Sequence, residues 1–156
     1  MKRGISFENP DQFGGQLIAE ILKPVNIKDF NWFIIGEESY LVVEKELDKP
    51  LFPEDIQVLT GPEFDDKIKN NEYYLIFADL KAFPENKDKI EIKTYEEFLN
   101  SDCQLCLLIT DSTYTDIYCK DIDLLEKLYM NAFENNYENL SYITDTNDSR
   151  TGLSCW

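Results

Sequence analysis

Two apolar runs joined by a very short connection constrain the fold of this chain most strongly. Residues 104–110 and 114–119 are rich in apolar and β-branched side chains, and only Asp111, Ser112 and Thr113 separate them. A connection of this length joins antiparallel strands, because a parallel pair needs a crossover of a dozen or more residues. The sequence therefore predicts an antiparallel hairpin at this point.

The rest of the chain repeats this pattern of short strands with helices between them. Residues 30–35 and 40–44 flank the turn-like stretch GEES at 36–39, a spacing that predicts another hairpin. Further strands are predicted at residues 4–8, 56–59, 72–80, 89–93 and 140–144.

Four helices are indicated by their capping residues. Asn9 followed by a proline predicts a helix over the apolar positions up to Leu22. The stretches TGPE at 60–63 and TYEE at 94–97 match capping boxes, and helical spacing continues for about four turns after Asp121. Hairpins combined with helices predict an α+β fold, with a mixed or largely antiparallel sheet and about four helices packed on it.

The length of the chain sets its domain organisation. A chain of 156 residues buries roughly 70% of its unfolded surface when it folds. Its content of hydrophobic residues, 43%, is enough for a packed core. No repeat or linker interrupts the chain, so residues 1–156 are predicted to form a single globular domain.

The charge of the chain restricts its partners. Asp and Glu total 31 against 15 Lys and Arg, which gives a formal net charge of -16. A field of this sign repels nucleic-acid phosphates and anionic lipid head groups, so we expect neither nucleic acid nor a membrane surface as partner. A basic protein or a metal cation would be attracted. The alternative is that the charge serves solubility alone, because the acids are spread along the whole chain.

The sequence lacks two features, and these absences limit the cellular location and the kinds of catalytic and metal site that we expect. No window approaches the roughly 18 apolar residues of a membrane span, and residues 1–8 contain no apolar signal region, so we expect a cytoplasmic protein. The chain also contains no histidine. Catalytic pairs and zinc sites that need an imidazole are therefore excluded.

The cysteines at 103 and 106 have the spacing of a metal or redox motif. A zinc ribbon would need a second such pair, and a thioredoxin-like motif would need a helix after it, whereas an apolar strand follows here. In a strand, Cys103 and Cys106 would point to opposite faces. Cys106 would then lie near Cys119 across the hairpin if the turn holds two or four residues. We predict packed thiols, with no metal site and no cofactor.

Two aspartates and a glycine pair are candidates for a ligand pocket. Asp79 and Asp111 each follow an apolar strand, so adjacent parallel strands would bring them together as an acid/base pair needs. Gly14 and Gly15 interrupt the first predicted helix at a cost of about 1 kcal/mol each. Close packing, a late helix start or an approaching ligand would explain that interruption. Because strand-end aspartates commonly cap turns, a structural role is the alternative for both acids.

Aromatic side chains and a neighbouring acid are candidates for a partner-binding surface. The residues concerned are Trp32, Tyr40, Tyr114, Asp116, Tyr118 and Trp156. Tyr114, Asp116 and Tyr118 share one face of a predicted strand. The rings of Trp32, Tyr40 and Trp156 are further anchors if they are exposed. Aromatic rings rimmed by acids suit the recognition of a basic protein. The alternative is that most of these rings belong to the core.

Three segments of the chain resemble a known family. They are the opening MKRGISFE, the ILKP step at residues 21–24 and the tail from Asp145 to Gly152. Together they resemble an uncharacterised family of small acidic proteins, a domain of unknown function, from spore-forming Gram-positive bacteria. The resemblance extends from end to end and supplies no activity and no catalytic residues. It implies a bacterial cytoplasm, where small acidic proteins are often immunity proteins that neutralise a basic toxin domain.

These observations favour a non-catalytic protein-binding domain, of the immunity or antitoxin type, that covers a basic partner. The alternative is a small-ligand-binding protein or enzyme with a pocket at the strand ends near Asp79 and Asp111. The oligomeric state is left open.

Overall fold

One antiparallel sheet forms the framework of this protein. The computed structural model describes residues 1–53 and 57–155, with the backbone alone at residues 36 and 37. The strands are β1 (Lys2–Glu8), β2 (Phe30–Val43), β3 (Glu46–Pro50), β4 (Gln57–Leu59), β5 (Tyr73–Pro84), β6 (Leu105–Thr110), β7 (Tyr114–Cys119) and β8 (Glu138–Thr144). These eight strands pair in the order β3-β2-β5-β6-β7-β1-β8, with β4 beside another part of β2. Every pair is antiparallel, so the predicted α+β fold with a largely antiparallel sheet is confirmed.

Four α-helices accompany the sheet in the described ranges. They are α1 (Leu17–Ile21), α2 (Gly61–Lys69), α3 (Tyr95–Asn100) and α4 (Ile122–Glu134), with a 3-10 turn at Ile27–Asp29. Thr60 and Glu63 form the reciprocal capping box of α2. Thr94 accepts a hydrogen bond from the Glu97 N–H at the start of α3, and Asp121 accepts two from the first turn of α4. These caps satisfy N–H groups that the first helical turn leaves without partners, so they fix where each helix begins.

The sheet carries a hydrophobic cluster on each face. On the first face, α1, α2 and α4 pack over strand residues such as Leu80 and Leu107. The second face has a smaller cluster that includes Leu108 and Tyr118, together with Phe98 of α3. Because neighbouring residues of a strand point to opposite faces, β6 is buried on both sides along most of its length.

The C-terminal segment, residues 145–155, lies on the second face of the sheet. Leu153 is buried in the second cluster, and its N–H donates to the carbonyl of Lys93 at 2.9 Å. Arg150 Nε donates to Asp116 Oδ2 at 2.8 Å and its Nη1 donates to Ser154 O at 2.7 Å. The Lys93 carbonyl and the Asp116 carboxylate therefore hold this segment in place. The strand predicted at residues 89–93 is wrong, because these residues have no regular secondary structure.

The hairpin predicted around residues 36–39 is also wrong. Strand β2 continues through this stretch, and its register with β5 shifts between Ile35 and Glu38. A bulge therefore absorbs the turn-like residues. The turn lies instead at Glu44 and Lys45, with φ of 53° and 66°, between β2 and β3. A two-residue turn with positive φ matches the twist of the strands that it joins.

The first helix begins later than its capping signal indicates. Residues 11–16 form a loop, α1 starts at Leu17, and Gly14 has a φ of 83°. Glycine adopts this left-handed conformation without the steric cost that a Cβ atom imposes. The glycine pair thus lies in the loop before α1 rather than inside a helix.

Candidate functional site

Loops from separate parts of the chain meet at one end of the sheet. We call this surface the loop end and define it by residues 8–16, 70–76, 110–115 and 134–140. The β6–β7 turn lies beside β5, since the Ser112 N–H donates to the Ile76 carbonyl at 2.9 Å. The chain after β1 reaches the same turn, since the Asn9 N–H donates to the Thr113 carbonyl at 2.6 Å.

Gln12 fixes the glycine-containing loop to this end. Its buried side-chain Nε2 donates to the carbonyls of Leu75 at 2.9 Å and Ser112 at 3.0 Å. Its Oε1 accepts from the Leu75 N–H at 2.7 Å, and the Gly14 N–H donates to Glu72 Oε1 at 2.5 Å. Because a buried amide that loses such bonds carries a desolvation penalty, the loop is held in this conformation.

The loop end is acidic throughout. Its four segments contain six carboxylates and no lysine or arginine. The acids are Glu8, Asp11, Glu72, Asp111, Glu134 and Glu138. None of the ion pairs between described residues involves one of these six. A surface that carries one sign of charge in this way attracts partners of the opposite sign.

Aromatic rings lie among these acids. Phe13 is 47% exposed and packs on Tyr74, with ring centroids 4.9 Å apart. Tyr114, at the start of β7, is 55% exposed. Tyr40 is half-buried and lies opposite Tyr74 in the β2–β5 pairing. Exposed rings of this kind can bury apolar area against a partner while neighbouring carboxylates pair with its cations.

A groove beside the glycine pair forms the concave part of the loop end. Its volume is about 320 Å³, and its walls include Gly14, Gly15, Asp11, Glu20 and Tyr137. Burial, followed by the negative charge of Glu20, raises the pKa of Tyr137 to about 12. The hydroxyl therefore keeps its proton at neutral pH.

The structure brings some of the predicted site residues to the loop end and leaves others elsewhere. Gly14, Gly15, Asp111 and Tyr114 belong to it, and Tyr40 lies at its margin. Asp111 is an exposed turn residue with a φ of 51°. Trp156 lies outside the described residues.

Trp32 is part of the core. Its side chain is fully buried, stacks on Phe64 with ring centroids 4.5 Å apart, and donates from Nε1 to the Ile27 carbonyl at 3.1 Å. The expectation that Trp32 serves as an exposed anchor is therefore wrong, because α2 covers this part of the sheet.

Asp116 and Tyr118 share a face of β7 as predicted, but the C-terminal segment covers that face. The hydroxyl of buried Tyr118 donates to Asp148 Oδ1 at 3.0 Å, and Asp116 pairs with Arg150. These two residues therefore do not form the exposed surface predicted for them.

Asp79 lies in the middle of β5, where its carboxylate pairs with Lys81 Nζ. Both side chains are 1% exposed, and Lys81 Nζ also donates to the Leu153 carbonyl at 2.9 Å. Burial raises the pKa of Asp79, and the charge of Lys81 opposes that rise. Asp79 lies opposite Leu108 in an antiparallel pair and faces the interior, whereas Asp111 is exposed. The two acids do not converge, so the predicted pocket near both of them is wrong.

The prediction of packed thiols is confirmed for Cys103, Cys106 and Cys119, which are free and buried, but the predicted placement of these residues is wrong. Cys103 and Cys106 both lie in the second-face cluster, because Cys103 precedes β6 and strand alternation does not apply to it. Three residues form the β6–β7 turn, so Cys106 lies opposite Tyr118 and Cys119 belongs to the first face. All four cysteines are free, and burial raises the pKa of Cys103 to about 12. Such a thiol is not a nucleophile at neutral pH.

Among the described residues, no group of three or more Cys, Asp or Glu side chains is placed to hold a metal ion. No helix in the same ranges has both the length and the apolar character needed to cross a membrane.

Several important side chains were not singled out from the sequence. A signal existed for Lys81, since Asp79 and Lys81 lie two residues apart in an apolar strand and so share a face. No local signal marks Gln12 or Tyr137. Their roles depend on contacts with parts of the chain that are distant in sequence.

The comparisons with known proteins agree with one another. The family described as "Protein of unknown function (DUF2691)" matches residues 2–154. The "Uncharacterized protein YncE" of Bacillus subtilis (strain 168) is 46% identical over 154 residues, which cover 99% of each chain. No solved structure matches. The chain therefore belongs to the DUF2691 family of proteins of unknown function.

Proposed function

We propose that this chain is a non-catalytic protein-binding domain whose loop end covers a basic surface of a partner protein, as immunity and antitoxin proteins do. One observation carries the proposal. Six carboxylates and no lysine or arginine occupy the four segments of the loop end, next to exposed aromatic rings.

Charged and aromatic side chains would make different contributions to binding. Carboxylates without an ion-pair partner among the described residues attract a basic surface over a distance and speed association. Phe13 and Tyr114 then supply apolar area at the centre of the contact. Because salt screens charges over a Debye length of about 8 Å at physiological ionic strength, binding would weaken as the salt concentration rises.

The positions of the reactive groups favour binding over catalysis. The Asp79–Lys81 pair and the Cys106 thiol lie beneath the C-terminal segment, away from solvent. The loop end instead presents carboxylates and rings, which are recognition groups.

Two charge-matched variants test the proposal. The loop-end variant carries Glu72→Gln, Asp111→Asn and Glu138→Gln. The control variant carries Glu85→Gln, Asp88→Asn and Glu91→Gln, in a segment that also contains lysines. Each amide keeps an acceptor oxygen, so the Gly14 N–H retains its partner at position 72.

The wild type and both variants are immobilised and exposed at low salt to a lysate of Bacillus subtilis, which encodes the 46% identical relative. We expect the wild type and the control to retain a basic protein that is released as salt rises. The loop-end variant should retain at least tenfold less. Equal retention by the two variants, or no basic protein on any of them, contradicts the proposal.

A further inference from the structure

Strand β8 forms one edge of the sheet and carries a sequence that favours pairing with another chain. Among the described strands it pairs with β1 alone. Its residues 139–144 read NLSYIT and contain neither a charged residue nor a proline. A short, uncharged edge strand of this kind is a template for a further strand, because half of its backbone groups point away from the sheet.

The opposite edge of the sheet is protected by its own composition. Strand β3 lies there, and its five residues are all exposed. They include Glu46, Asp48, Lys49 and Pro50. Charges and proline at an edge disfavour pairing with another chain. Strand β8 has no such residue after Glu138, so its protection must come from another part of the chain.

The side chain of Asn147 occupies the free edge of β8. The Thr144 N–H donates to Asn147 Oδ1 at 2.7 Å, and Asn147 Nδ2 donates to the Tyr142 carbonyl at 2.9 Å. Backbone groups of residues two apart in a strand point to the same side. Those of the alternate residues, Ser141 and Ile143, therefore face β1, with which both are paired. Asn147 thus supplies a donor and an acceptor where a neighbouring strand would supply a peptide group.

The turn after β8 holds Asn147 in this position. The Asp148 N–H donates to the Thr144 carbonyl at 3.2 Å, which brings the chain back towards the strand. The Asp148 side chain is 6% exposed and accepts hydrogen bonds from the Tyr118 hydroxyl at 3.0 Å and from Arg3 Nη1 at 3.1 Å. Contacts on both sides of Asn147 therefore fix it at the edge, although the residue itself is exposed.

We propose that the Asn147 side chain closes the free edge of β8 against a second copy of this chain. A second β8 fits this edge, because two copies of one strand run antiparallel about a twofold axis and give each other the same hydrogen bonds. Those bonds would replace the two that Asn147 makes. The proposal does not depend on the function proposed above, because the groups concerned lie outside the loop end.

Hydrogen exchange in dilute solution tests the closure itself. In Asn147→Ala the Thr144 amide loses its acceptor, so we expect it to exchange at least tenfold faster than in the wild type. The Ile143 amide faces β1 and should be unchanged, which also shows that the variant is folded. An unchanged exchange rate at Thr144 would overturn the proposal.

The mass of the chain in solution tests the consequence. Light scattering is recorded at physiological ionic strength from micromolar to millimolar concentration. We expect Asn147→Ala to approach the mass of two chains as concentration rises, while the wild type keeps the mass of one. Asn100→Ala makes the same change at an exposed position of α3 and should behave as the wild type. Asn147→Asp keeps the acceptor for Thr144 and adds a charge at the edge, so it should also stay single.

Exchange at high concentration locates the contact. In associated Asn147→Ala, the Tyr142 and Thr144 amides should exchange at least tenfold more slowly than in the dilute variant. If the Ile143 amide shows that Asn147→Ala is unfolded, Asn147→Ser replaces it and must give the same results, since a serine hydroxyl is too short to span both backbone groups. A folded variant that keeps the mass of one chain, or a wild type that already pairs through β8, would overturn the proposal.

Discussion

At the scale of single residues, the buried pair of Asp79 and Lys81 carries a large energetic cost. Taking two charges out of water carries a desolvation penalty that their attraction offsets only with good geometry and further hydrogen bonds. Here the Leu153 carbonyl supplies one such bond to Lys81. Asp79 Oδ2 has no hydrogen-bond partner among the residues that the structure describes, so the pair is only partly satisfied.

Removing one member of this pair should destabilise the protein more than removing both. We expect Lys81→Met to lower the free energy of unfolding by about 3–5 kcal/mol, because it leaves the Asp79 carboxylate buried without a counter-charge. Adding Asp79→Leu to that variant should recover much of the loss. Urea denaturation of the single and double variants checks this. A double variant less stable than Lys81→Met would contradict it.

The buried thiols predict how stability changes at alkaline pH. Burial raises the pKa of Cys103 to about 12, whereas an unfolded cysteine has a pKa of about 8.5. A group with a raised folded-state pKa contributes stability that is complete below the unfolded pKa and is lost as pH rises towards the folded pKa. The loss is up to about 1.4 kcal/mol per pH unit for one thiol.

We therefore expect Cys103→Ala to flatten the fall in stability above about pH 8.5. Urea denaturation at constant ionic strength, from neutral pH upwards, measures the slope for the wild type and the variant. Cys155→Ala is a useful comparison, since burial raises the pKa of this thiol to about 12 as well. Identical slopes in all three proteins would show that these thiols do not titrate differently in the folded and unfolded states.

At the scale of elements, the C-terminal segment acts as a cover for the second face of the sheet. Arg150 attaches it to Asp116, and Leu153 fills the cluster beneath it. Two ion pairs with β1 also attach the segment, since Arg3 pairs with Asp145 at 2.8 Å and with Asp148 at 3.1 Å.

Leu153→Ala should therefore lower the free energy of unfolding by about 2–5 kcal/mol, as expected for a leucine buried in a packed cluster. Thr151, an exposed residue two positions earlier in the same segment, provides the control. Thr151→Ala should change the free energy of unfolding by less than about 0.5 kcal/mol. Urea midpoints of both variants provide the comparison. A Leu153→Ala variant as stable as the control would mean that the segment does not pack on the sheet in solution.

Elements with local signals could be predicted from the sequence, and elements that depend on distant pairing could not. Helix α2 begins at a capping box and α3 at the Thr94 cap, and the β6–β7 hairpin follows from a three-residue connection. The composition of residues 36–39 wrongly predicts a turn within β2. The pairing of Ile35, Glu38 and Ser39 with β5 keeps this stretch in one strand. The C-terminal segment has polar composition, and a single buried leucine gives little warning that it packs.

At the scale of the whole molecule, the location of the acidic binding surface depends on where the basic residues lie, and the net charge alone does not determine it. Lys2 and Arg3 lie at the start of β1 and pair with acids there, whereas Glu8 lies at the other end of the strand, in the loop end. The acidity of the protein follows directly from its sequence, and the proposal of a basic partner rests on it. The sequence could not predict the loop end, because that surface is assembled from four segments spread over more than a hundred residues.

Hydrogen exchange on the complex with the captured basic protein tests the central claim most directly. We expect the backbone amides of residues 9–16 and 111–115 to exchange more slowly in the complex than in the free chain. Those of β3 and β4, at the opposite edge of the sheet from β8, should be unchanged. Slower exchange confined to β3, β4 or the C-terminal segment, with no change at the loop end, would contradict the claim that the loop end is the binding surface.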